Sequence, residues 1–178
     1  MVSGRTRKSI LTFIAAAAFA GVATAACAAF EKPDWDQKAN IKEAALRLAE
    51  LQRTKGATQA FEFIDACYRT QSLNSNYTKG FEACIAQDYL ETQVLALVYS
   101  RLPPETLKKM GAPTPQVLAD SMGKRITQAF ASYKVPNSEV EHFHKLIDEE
   151  GFPVFFEALF PNTKPPKLLK RPLPEEQK

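Results

Sequence analysis

Along most of the chain the apolar residues recur at spacings of three and four. No segment of strand length alternates apolar with polar residues between turn signals. The pattern predicts an all-α fold: a compact helical bundle of about five to seven helices. A first helix is expected over residues 35–55, with Asp34 and Gln37 at capping-box spacing, a stripe of Ile41, Ala45, Leu48 and Leu51, and Gly56 as its stop. A second is expected over 59–72, capped by Thr58, with Phe61, Ile64, Cys67 and Tyr68 on one face. Residues 73–77 are polar turn material.

The third helix, over 78–101, carries Phe81, Cys84, Ile85, Thr92, Leu95 and Tyr99, thickened by Val94, Leu97 and Val98. A helix apolar on so much of its circumference belongs at the centre of the bundle. Pro103 and Pro104 end it, and a short helix over 105–110 closes at Gly111. Thr114 and Pro115 open a fifth helix whose inward face is Leu118, Met122, Ile126, Ala129 and Tyr133. Ser138 and Glu141 form a second capping-box pair before a sixth, with Val140, Phe143 and Ile147 inward and Gly151 as its stop. Pro153 starts a last short helix rich in phenylalanine: Phe152, Phe155, Phe156 and Phe160.

Two cysteines fall on this frame in a telling way. Cys67 and Cys84 stand 17 residues apart, at nearly equal distance from a turn centred near Ser75 and Asn76. On an antiparallel helical hairpin that places them at the same height and on facing sides, as a disulfide requires. A bridge closing a loop of this size is worth roughly 3 kcal/mol in the chain-entropy treatment.

The ends of the chain read differently. Arg5, Arg7 and Lys8 precede an apolar run over 10–22 broken only by Thr12, and small residues then crowd a cleavage zone. Residues 1–28 therefore read as a signal peptide cut after Ala25 or Ala28. Cutting after Ala28 removes Cys27 and leaves an even pair of thiols for the oxidising space outside the membrane. Lipidation at Cys27 is the minor alternative, because the bulky apolar residue expected three places upstream is absent. The apolar run is too short to cross a bilayer, so no transmembrane segment is expected in the mature chain, and the protein is placed in a bacterial periplasm or secreted. Residues 29–160 form the helical domain. Residues 161–178 hold five prolines among lysines and read as an extended or disordered tail.

Charge narrows the partners. The formal net charge of +3 resides wholly in residues 1–28. Residues 29–161 carry 15 basic and 18 acidic side chains, and residues 162–178 carry 5 and 2. An acidic body with a basic tail does not suit a nucleic-acid binder, which needs a basic patch on the fold.

No catalytic constellation emerges, and neither a cofactor nor a metal site is expected. His142 and His144 lie on different sides of their helix, without an H-E-x-x-H pattern, a nucleophile elbow or a Gly-rich phosphate loop nearby. Asp88, one turn after Cys84, is expected to be buried and to act as a structural clamp on an arginine such as Arg47 or Arg69. The cluster of Phe155, Phe156 and Phe160, together with Lys167, Lys170 and Arg171 of the tail, is the candidate surface for a partner, another envelope protein. The sequence thus points to a non-enzymatic interaction protein of the envelope. A carrier of a small ligand or metal, or a hydrolase with dispersed residues, stands as the alternative.

Overall fold

The computed structural model describes residues 30–166 and Leu168. The expected signal peptide, the Cys27 alternative and the tail residues Lys167, Lys170 and Arg171 lie outside the described residues. The described chain is helical throughout, without a strand among its residues: α1 (Gln37–Lys55), α2 (Ala57–Gln71), α3 (Lys79–Tyr99), α4 (Pro104–Lys109), α5 (Pro115–Ser132), α6 (Asn137–Leu146), a π-helical turn (Ile147–Gly151) and α7 (Phe152–Leu159).

Helix α3 is the axis. Apart from Ala83, every residue from Phe81 to Val94 is buried. α1 runs beside it in the same direction: Asn40 meets Lys79 and Glu82, Gln87 reaches the Ala44 carbonyl, and Gln52 reaches Glu91. α2 returns antiparallel between them and is tied to α3 by the Cys67–Cys84 disulfide, with Cα atoms 5.7 Å apart. α5 crosses the other side of α3 antiparallel, pairing Arg125 with Asp88 and Tyr133 with Phe81. The rod formed by α6, the π turn and α7 lies along α1, and one core joins these layers.

Several boundaries differ from the sequence reading, each for a local reason. The cap of α1 is Asp36, whose side chain accepts from the Ala39 N–H at 3.0 Å, rather than Asp34; Trp35 stays outside the helix because its ring nitrogen is engaged by Glu82. α2 begins at once after Gly56, which turns the corner at φ 86°, so Thr58 sits inside the first turn instead of capping it. The chain enters α6 through Pro136, without a side-chain cap, and Ser138 lies within the helix. Thr114 and Thr78 do cap α5 and α3.

Gly151 is the largest departure. It stops nothing: its backbone is right-handed helical (φ −78°), and the chain passes through it from the π turn into α7. Its role is close approach. A Cβ at Gly151 would stand 2.7 Å from Cγ2 of Ile41 on α1, well inside contact distance. The tail reading also changes at its start. Residues 163–166 have no regular structure, yet Leu168 is half-buried and packs against the core.

Gly151→Ala is therefore expected to destabilise the fold by roughly 1–3 kcal/mol through overpacking, exceeding the ~1 kcal/mol that alanine gains in helix propensity. In an Ile41→Ala background the same change should cost far less or stabilise, which a double-mutant cycle by chemical denaturation reads directly.

Candidate functional site

A helix surrounded on all sides buries whatever polar side chains it carries, and α3 carries three acids without exposure: Glu82, Asp88 and Glu91. Each meets its surroundings differently.

Asp88 is a clamp, and its arginine is Arg125. Arg47 and Arg69 instead pair with Glu43 and Asp65 on their own helices. The reason is topological: α5 lies antiparallel against the face of α3 that bears Asp88. Arg125 donates from Nε at 3.0 Å and from a terminal nitrogen at 2.6 Å, a bidentate pair. The Tyr68 hydroxyl on α2 donates to the same carboxylate at 3.2 Å, and Thr92 does so from within α3. One carboxylate thus joins three helices, a turn away from the disulfide. Burial and then the Asp88 charge push the Tyr68 hydroxyl far above its usual range, and the hydrogen bond to Asp88 holds Arg125 more firmly protonated.

Glu82 is held without a cation among its hydrogen-bond donors. Trp35 Nε1 (2.9 Å) and Asn40 Nδ2 (2.9 Å) donate to one oxygen; Gln37 Nε2 (2.6 Å) and the Tyr77 hydroxyl (3.4 Å) donate to the other. The sequence reading missed this residue. The signal was present: an acid inside a segment apolar on every side has nowhere to go but inward. It also missed the ring cluster around Tyr77, which gathers Phe30 and Trp35 from the stretch before α1, Phe81 from α3, and Phe130 and Tyr133 from the end of α5.

Glu91 lies at the α1–α3 seam. Gln52 donates to one of its oxygens at 3.1 Å, while the other oxygen, together with Oε1 of Gln52 and Oε1 of Gln87, is buried without a hydrogen-bonding protein neighbour. Burial alone raises its carboxyl to about 7. A proton there turns a surplus acceptor into a donor, which is what a seam lined with acceptors lacks.

The histidines do not converge on a metal. His142 is exposed, and His144 is half-buried beside the rings of Tyr89, Phe130 and Phe143. Among the described residues no group of three or more His, Cys, Asp or Glu side chains gathers as a metal site would. A surface depression of about 500 Å³ lies between α1 and the end of α7, lined by Leu46, Ala49, Glu50, Arg53, Ala158 and Pro161. Another of about 180 Å³ lies beside Asn40 and Lys79.

The C-terminal aromatic cluster faces mostly inward and closes the core, which leaves little of it as an exposed patch for a partner. Phe152, Phe155 and Phe156 are buried because α7 turns them onto α1 and the core. Phe160 alone of the four is exposed, its ring tilted against that of Phe156 at 4.9 Å between ring centres. No helix among the described residues is long and apolar enough to cross a membrane. Compared with protein-family models, with curated proteins and with solved structures, the chain matches none.

Two outcomes follow from these acids. Arg125→Met strands the Asp88 carboxylate and is expected to cost about 2–3 kcal/mol, less than for a fully buried pair because Arg125 is half-exposed. Adding Asp88→Asn should restore part of that loss, read by urea unfolding of the single and double variants. For Glu91, a carboxyl raised from 4.5 to about 7 means that the native chain binds its proton more tightly than the unfolded chain does. Its contribution is complete below pH 4.5 and is lost as the pH rises to about 7, a fall of about 3 kcal/mol. Glu91→Gln is expected to flatten this part of the stability profile between pH 5 and 8; an unchanged slope would exclude Glu91 as its source.

Proposed function

We propose that this chain is an exported, envelope-associated helical protein of a bacterial periplasm that acts by binding rather than by catalysis. The observation that carries the reading is the Cys67–Cys84 bridge. A disulfide built into the core of a small domain belongs to an oxidising compartment, and the layout of residues 1–28 is that of an export signal.

The use of the buried polar groups supports a binding role. Asp88 and Glu82, two of the three buried acids of α3, spend their hydrogen-bonding capacity holding helices together. The surface left for recognition is the outside of the bundle and the tail.

The test is fractionation of expressing cells, with N-terminal sequencing and alkylation in the absence of reductant. The expected result is a chain beginning at Ala29, in the periplasmic or envelope-bound fraction, without reactive thiol. A cytosolic chain retaining Met1, with Cys67 and Cys84 both alkylated, would overturn the proposal.

A further inference from the structure

The two ends of the bundle are chemically unlike. α1, α3 and α7 all finish at one end, where α2 and α5 begin and α4 forms a cap. The chain stretches that make up this end are 53–59, 98–117 and 160–164. They carry Arg53, Lys55, Arg101, Lys108, Lys109 and Lys164 against the single acid Glu105. All six cations are exposed, although Arg53 also pairs with Glu50. The opposite end, made of 30–36, 71–79 and 133–139, carries three basic and four acidic residues.

The same cationic end holds four of the six exposed large apolar side chains: Val98 (44% exposed), Met110 (60%), Val117 (51%) and Phe160 (38%). α4 is pinned to the bundle by Leu107, its one buried residue, which leaves Lys108, Lys109 and Met110 standing clear. Basic last-turn residues also complement helix C-termini, which accounts for Arg53 and Lys55 in α1 and contributes to the placing of Lys108 and Lys109 in α4. It does not account for Arg101 or for the exposed apolar tips. By sequence, Lys167, Lys170 and Arg171 follow soon after Lys164.

We propose that this end of the bundle, centred on α4, docks on an anionic lipid surface: Lys108, Lys109 and Arg101 meet acidic headgroups while Met110 and Val117 enter the interface between them. The proposal rests on the envelope reading above and specifies what the protein binds there. Exposed cations interspersed with exposed apolar side chains are the chemistry that recognises an anionic bilayer surface. Three helix ends present it in one direction.

The test is co-sedimentation of the full processed chain with vesicles of phosphatidylcholine, alone or with about a third phosphatidylglycerol. Binding is expected only to the anionic vesicles and should weaken at least tenfold from low to half-molar salt. Lys108→Glu with Lys109→Glu should lower it about tenfold, and Met110→Asp severalfold, with unchanged thermal melts. Leu73→Asp, at the opposite end, should leave it intact. A chain truncated after residue 166 should retain the sensitivity to Lys108→Glu with Lys109→Glu. Absence of vesicle binding overturns the proposal, as does binding indifferent to the α4 variants. An acidic protein then becomes the ligand to seek, and the export reading still stands on its own fractionation test.

Discussion

A helix enclosed on every side must find a partner for each polar side chain it carries, and most of this structure answers that requirement for α3. An ionised carboxylate without solvent is tolerable only when its lone pairs are filled. Glu82 obtains its donors from the segment before α1, from α1 itself and from the α2–α3 loop. Asp88 obtains its own from α2 and α5. Three neighbouring helices, α1, α2 and α5, are thereby positioned by two side chains of the helix they enclose. Apolar contacts would accept many small rotations of those elements; these hydrogen bonds do not.

The covalent and ionic ties are arranged in sequence along the same helix. Cys84 binds α2, and one turn later Asp88 binds α2 again through Tyr68, and α5 through Arg125. The disulfide acts largely by restricting the unfolded chain, whereas the carboxylate cluster acts only once the helices are in place. The hairpin is thus held by one device that acts mainly on the unfolded chain and by another that acts on the packed one.

The sequence made the larger features legible where periodicity and symmetry carry the information. The central position of α3 followed from apolar residues around its whole circumference, and the disulfide followed from two cysteines equidistant from a turn. What it obscured were choices between near-equivalents. Asp34 and Asp36 both suit a cap, and the burial of Trp35 against Glu82 decides between them. Arg47, Arg69 and Arg125 could each reach a buried acid in principle, and only the antiparallel placement of α5 selects Arg125. Gly151 resembled a helix stop because a glycine needed for close approach to Ile41 and one needed for a left-handed turn look the same in one dimension. The phenylalanines of α7 could not be assigned to core or surface without knowing how the preceding turn is wound.

That winding has a consequence of its own. A π turn accommodates one residue more than the α-helical turn it replaces, so residues 147–151 offset everything downstream by about 100° about the helix axis. Phe152, Phe155 and Phe156 point inward because of this phase shift. Shortening the segment by a single residue would preserve an unbroken helix while swinging the phenylalanines toward water. A length change that ordinary loops absorb without effect would here turn the protein's last apolar face inside out.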